Sequence, residues 1–137
     1  MYLLKVLTLI ISISLFTSCG KDNVDTVNEE IDSTATLLYS GVFMSEAHST
    51  SGKASIYKST DGKNILRIQS LNSESGPDLR LYLADDKKAL NSFEVVSKPN
   101  NGTYDLAIPA GVDFKKQKFV LIWCKQFSVL FGSAELK

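Results

Sequence analysis

Apolar residues along this chain fall into two regimes. From Val6 to Phe16 they run together, broken only by Thr8, Ser12 and Ser14. After Thr36 they alternate with polar residues at short period. No window of a dozen residues there keeps the i, i+3, i+4, i+7 spacing of an amphipathic helix. The alternation predicts strands over Thr36–Met44, Lys53–Lys58, Asn64–Leu71, Leu79–Ala84, Phe93–Val96, Thr103–Ile108, Lys118–Cys124 and Phe127–Ala134. Between them stand Asp61-Gly62, Ser75-Gly76-Pro77, Asn100-Asn101-Gly102 and Pro109-Ala110-Gly111, residues that favour turns for their φ preferences and short polar side chains. Asp85 to Asn91 has room for one helical turn and no more. The expected fold is all-β: an antiparallel β-sandwich or small β-barrel of about eight short strands.

The last two strands admit a register. A two-residue link of Lys125 and Gln126 would set Cys124 opposite Phe127, Ile122 opposite Val129 and Val120 opposite Phe131, all on one apolar face. Phe119, Leu121, Trp123 and Leu130 would share the other face. Ser128 would then oppose Trp123, and Gly132 would oppose Phe119, small residues facing large rings. Cys124 would end a core-facing strand near a rim. Asn101-Gly102-Thr103 also matches a glycosylation triplet, but Asn-Gly is foremost a turn pair.

The early apolar run changes the picture of where the chain resides. Lys5 followed by Val6–Phe16 has the layout of a secretory signal, and the run is shorter than the ~20 residues a membrane-spanning helix needs. It ends Leu15-Phe16-Thr17-Ser18-Cys19-Gly20, which resembles a bacterial lipobox, with Phe16 where Leu is most usual. Residues 1–18 are therefore expected to be a lipoprotein signal peptide and Cys19 the acylated N-terminus, held in the membrane by more than one acyl chain. Gly20-Lys21-Asp22 also resembles the export tag of some surface lipoproteins. The expected location is a bacterial cell envelope, at the outer membrane, on its periplasmic or surface face. Residues 19–36 carry one Lys against Asp22, Asp25, Glu29, Glu30 and Asp32, with no aromatic, the composition of a solvated tether. Residues 37–137 are expected to form the folded domain.

Charge and composition exclude several functions. Lys+Arg and Asp+Glu both number 15, so a broad basic face for nucleic acid is not expected. One His and 2 Cys fall short of the four ligands of a structural zinc site. With Cys19 lipidated, Cys124 has no partner in the chain. It is then a reactive thiol, an intermolecular bridge, a ligand to a prosthetic group, or simply a small buried hydrophobe. His48 is a loop residue or, functionally, a ligand or a base acting on Cys124. Asp78 follows Gly76-Pro77 at a strand start, where its carboxylate would cap local N–H groups. A hydrolase built from Cys124, His48 and Asp78 lacks a nucleophile elbow or glycine-rich oxyanion loop.

Ordered pieces of the sequence are more specific than any one residue. Gly41-Val42-Phe43, His48-Ser49-Thr50-Ser51-Gly52, Ser75-Gly76-Pro77-Asp78-Leu79, Leu81-Tyr82-Leu83, Ile108-Pro109, Val120 to Lys125 and Phe127 to Leu136 follow one another from Tyr39 onwards. This set resembles the DM-thirteen domain, an electron-transfer domain found in some proteins beside DOMON modules. The resemblance implies a β-rich extracytoplasmic domain with a signature cysteine in the Trp123-Cys124 pair, serving redox chemistry as a bare thiol or as ligand to a group such as haem. It also implies a protein partner for electron transfer. A covalent c-type haem is excluded because Cys-x-x-Cys-His is absent, and a blue-copper site because it needs a second His beside His48, Cys124 and Met44. Dithiol exchange lacks a resolving cysteine. A non-covalent haem held by Cys124, with His48 on its other side, requires the two strand regions to meet at a pocket.

Overall fold

A computed structural model describes residues 31–137; the leader, Cys19 and the tether to residue 30 lie outside the described residues. Eight strands follow: β1 (Thr36–Ser45), β2 (Thr50–Lys58), β3 (Asn64–Ser73), β4 (Leu79–Ala84), β5 (Ser92–Ser97), β6 (Gly102–Ala107), β7 (Phe119–Cys124) and β8 (Val129–Glu135). Every expected strand is present, the largest difference being the start of β2 at Thr50 instead of Lys53. No helix occurs among the described residues. Asp85–Asn91 is not a helical turn, because its ends bond to each other: Asp85 N–H donates to the Asn91 carbonyl, and the Asn91 amide donates to the Asp85 carboxylate.

All neighbours are antiparallel, in the order β5-β4-β7-β8-β1-β2-β3-β6. The two end strands, β5 and β6, approach each other without pairing, so the sheet is a nearly closed barrel. β1 holds the halves together: Thr36–Val42 pairs with β2, and Phe43–Ser45 pairs with β8. Strand alternation sends Ala54, Ile56, Leu66, Ile68, Leu81, Leu83, Val120 and Ile122 inward, all fully buried. Each large aliphatic chain among them contributes about 1.5–3 kcal/mol by leaving water. The opposite face of β4 and β7 carries a smaller apolar layer, Tyr82, Ala84 and Leu121, packed with Ala89, Phe119, Trp123 and Leu130.

The division of β7 and β8 into these two faces agrees with the sequence pattern, but the expected register does not. Cys124 pairs with Val129, Trp123 with Leu130, Ile122 with Gly132 and Phe119 with Glu135. The link has four residues, Lys125 to Ser128, and Ser128 takes a positive φ of 53°. Phe127 is consequently 63% exposed in the turn instead of lying on the core face. A bulge between Ile122 and Trp123 adds one residue to β8, so that Phe131 has no direct partner and its ring enters the core. The Asn101-Gly102 segment also differs from a tight hairpin. It links β5 to β6, which pair with β4 and β3 respectively, and the Asn101 side chain bonds both Ser73 N–H and Ser73 C=O.

Candidate functional site

Four connections gather at the barrel end where β7 finishes: residues 46–49, 74–78, 98–101 and 125–128. Main-chain bonds fix them. Ala47 N–H donates to the Leu130 carbonyl, His48 N–H to Phe131, Glu74 N–H to Ser49, Lys98 N–H to Leu79 and Lys125 N–H to Asp78, at 2.8–3.3 Å. The β8 bulge provides the seat for the first of these loops. Phe131 offers its carbonyl to the His48 amide and its ring to the His48 imidazole, stacked with centroids 3.8 Å apart. Nδ1 of His48 lies 3.0 Å from Oε2 of Glu74, and Oε1 of Glu74 accepts the Ser49 N–H at 3.0 Å. His48 is thus neither a simply solvated residue nor bonded to backbone through its ring.

His48, followed by the Ser49 amide, holds the Glu74 carboxyl below the usual carboxylate range. A depressed acid stabilises the fold fully above its ordinary value, about 4.5, and loses that contribution as pH falls through its lower folded value. The clamp between the two loops should therefore loosen in acid. An NMR titration is expected to show the Ser49 amide losing its bonded shift only at a pH below the ordinary glutamate value, and Glu74→Gln should remove that transition. A Ser49 amide that titrates at or above the ordinary glutamate value, or a transition that persists in Glu74→Gln, would contradict the clamp.

Cys124 closes β7 beneath these loops. Its register neighbours are Leu79 in β4 and Val129 in β8. It is a free cysteine, 1% exposed, and belongs to the main core with Leu79, Ile122 and Phe131. Gly76 leans on the same wall: a Cβ there would approach Leu79 Cδ2 and Phe131 Cζ to 2.9 Å, too close for any larger residue without rearrangement. Pro77 follows in the same loop. Asp78 does not cap local N–H groups. Its carboxylate, in the turn just before β4, bonds Arg80 Nε at 2.6 Å, and Arg80 reaches on to Glu94 at 2.8 Å. Asp78 first and Glu94 next hold the guanidinium still more firmly protonated. Trp123 points to the opposite side of the sheet from Cys124, with Arg80 and Leu130 as register neighbours.

The fold therefore brings His48, Gly76, Pro77, Asp78 and Cys124 to one end. It does not pair imidazole with thiol, since the polar partner of His48 is Glu74. Glu74 and Phe131 are the residues sequence reasoning missed. The one available signal was the poor turn character of Lys125-Gln126, which argues for a longer link and hence a shifted β8. Among the described residues no three His, Cys, Asp or Glu side chains lie close enough to hold a metal ion.

The segments that meet at this end are spread across the span that the family model for electron transfer DM13 matches, residues 42–136. The chain belongs to the electron-transfer DM13 family. No curated protein and no solved structure matches it. A haem-type group bridging Cys124 and His48 does not fit this DM13 domain as folded. The sulfur is enclosed by aliphatic neighbours, one face of the imidazole is taken by Phe131, and the cavity at this end is lined by neither residue.

Proposed function

We propose that this DM13 domain exchanges electrons through Cys124 acting as a bare thiol, while lipid on Cys19 and an acidic tether hold it at a bacterial envelope. One observation supports the reading: the free thiol of the described residues stands at the end of β7, where separated segments of the span matched by the family model converge. The anchor rests on the leader and lipobox pattern in residues 1–20. As a thiolate, Cys124 attacks one sulfur of a partner's disulfide. The new S–S bond forms as the old one breaks, and the leaving thiolate takes up the proton Cys124 has lost.

The test equilibrates full-length protein with glutathione and its disulfide, followed by intact mass. Native protein should take up one glutathione at Cys124, reversibly and at a defined ratio of the two forms. Cys124→Ala should take up none, and the same spectra should carry acyl mass on Cys19. Uptake only in urea, or none at all, would overturn the redox role.

The near-complete burial of Cys124 favours a second reading, a non-catalytic β module binding carbohydrate or a protein partner at the envelope, with the thiol serving only as packing. Cys124→Ala would then cost about 1 kcal/mol or more in stability and change nothing else.

A further inference from the structure

Beside Cys124, but separate from it, is a cavity of about 320 Å³ between the β3–β4 and β5–β6 connections. Its floor is Leu71, Leu79 and Ile122, and the rings of Pro77 and Pro99 belong to its walls. The volume lies at the lower end of the range for small-molecule sites. Its frame is set before any ligand arrives. Asn101 ties one wall to Ser73 by two hydrogen bonds, and in the other wall a Cβ added at Gly76 would meet the Leu79 and Phe131 side chains at 2.9 Å.

Lys98 stands at the rim with a φ of +54°, in the left-handed region that side chains other than glycine rarely adopt, held there by its N–H bond to the Leu79 carbonyl at 2.8 Å. Such conformations persist where the surroundings enforce them and collect at ligand sites. Two charged residues line the cavity, Glu74 and Lys98. Both Glu74 oxygens are taken by the β1–β2 loop, through His48 and Ser49. Lys98 has no ion pair among the described residues. An apolar floor under one uncommitted cation is complementary to a small organic anion with a hydrocarbon body.

The geometry points to this cavity as a binding site for a small amphipathic carboxylate, its apolar part on Leu71, Leu79 and Ile122 and its carboxylate on the Lys98 ammonium. Preformed walls spare the ordering cost that usually weakens such binding. The site goes beyond the redox reading and does not depend on Cys124.

Hexanoate serves as the probe, with hexanol and hexylamine as neutral and cationic controls of the same length. Amide NMR of the full chain in detergent should show saturable shifts at Leu79, Lys98 and Ile122 with hexanoate at about 10 mM or below, and weaker shifts with either control. Lys98→Gln should weaken hexanoate binding about tenfold while leaving hexanol binding unchanged, as loss of a charge-assisted contact requires. Cys124→Ala should bind hexanoate like the wild type, which separates failure here from failure of the redox role. Absence of shifts at these amides, equal binding of hexylamine, or indifference to Lys98→Gln would each overturn the assignment.

Discussion

Phe131→Ala should destabilise the domain by about 3–5 kcal/mol, the usual cost of emptying a buried aromatic site. The ring is nearly fully buried and touches the principal parts of the site: His48 stacks on it, Gly76 closes against it, and it shares the core with Leu79 and Cys124. Total stability for a domain of this size is about 5–15 kcal/mol, so urea unfolding should shift by a large fraction of its midpoint. Phe131→Leu should recover much of the loss. His48 provides a second readout, since its ring signals should lose the displacement caused by the stacked Phe ring in both variants. A loss under about 1 kcal/mol, or unchanged His48 signals, would show that the bulge in β8 does not place Phe131 as described.

The strands were legible because their side chains alternate in environment every second residue, and that signal survives in a single sequence. Ile122 and Cys124 inward with Leu121 and Trp123 outward followed from alternation alone. The bulge was not legible. One extra residue leaves local alternation intact on each side and alters only which residues face each other: the longer link alone would set Gly132 against Leu121, and the bulge moves it on to Ile122 without any local sign. The partner of His48 was hidden for a related reason. Glu74 is 26 residues away, and only the pairing of β2 with β3, together with the Glu74–Ser49 main-chain bond, brings the two loops together. Lys98 gave no warning either, because a left-handed lysine ahead of Pro99 is the reverse of local preference and is imposed by tertiary contact. Cys124 is legible by subtraction, as the thiol left over if Cys19 carries lipid, and through the Trp123-Cys124 pair of the family resemblance.

Cys124 is enclosed, yet it is the last residue of its strand, and the turn after it exposes Phe127 and carries a positive φ at Ser128. A main-chain bond from Lys125 to Asp78 ties that turn down. The proposed redox role calls for an opening in which this bond breaks and the hairpin end frays, so that the sulfur would be uncovered while most of the barrel stays intact, as local openings below the global unfolding free energy allow. If the opening costs about 3–4 kcal/mol less than unfolding, the thiol becomes reachable about 10²–10³ times more often than unfolding allows. A redox role requires this route, whereas a purely packed cysteine has no need of it.

The decisive measurement is the rate at which a small thiol reagent modifies Cys124 in folded protein, taken as a function of urea and compared with the unfolding free energy of the same sample. Local opening predicts labelling about 10²–10³ times faster than global unfolding permits, with little dependence on urea at low concentration. Labelling that tracks global unfolding in both free energy and urea dependence would contradict it, and would leave Cys124 as a packing residue of the barrel.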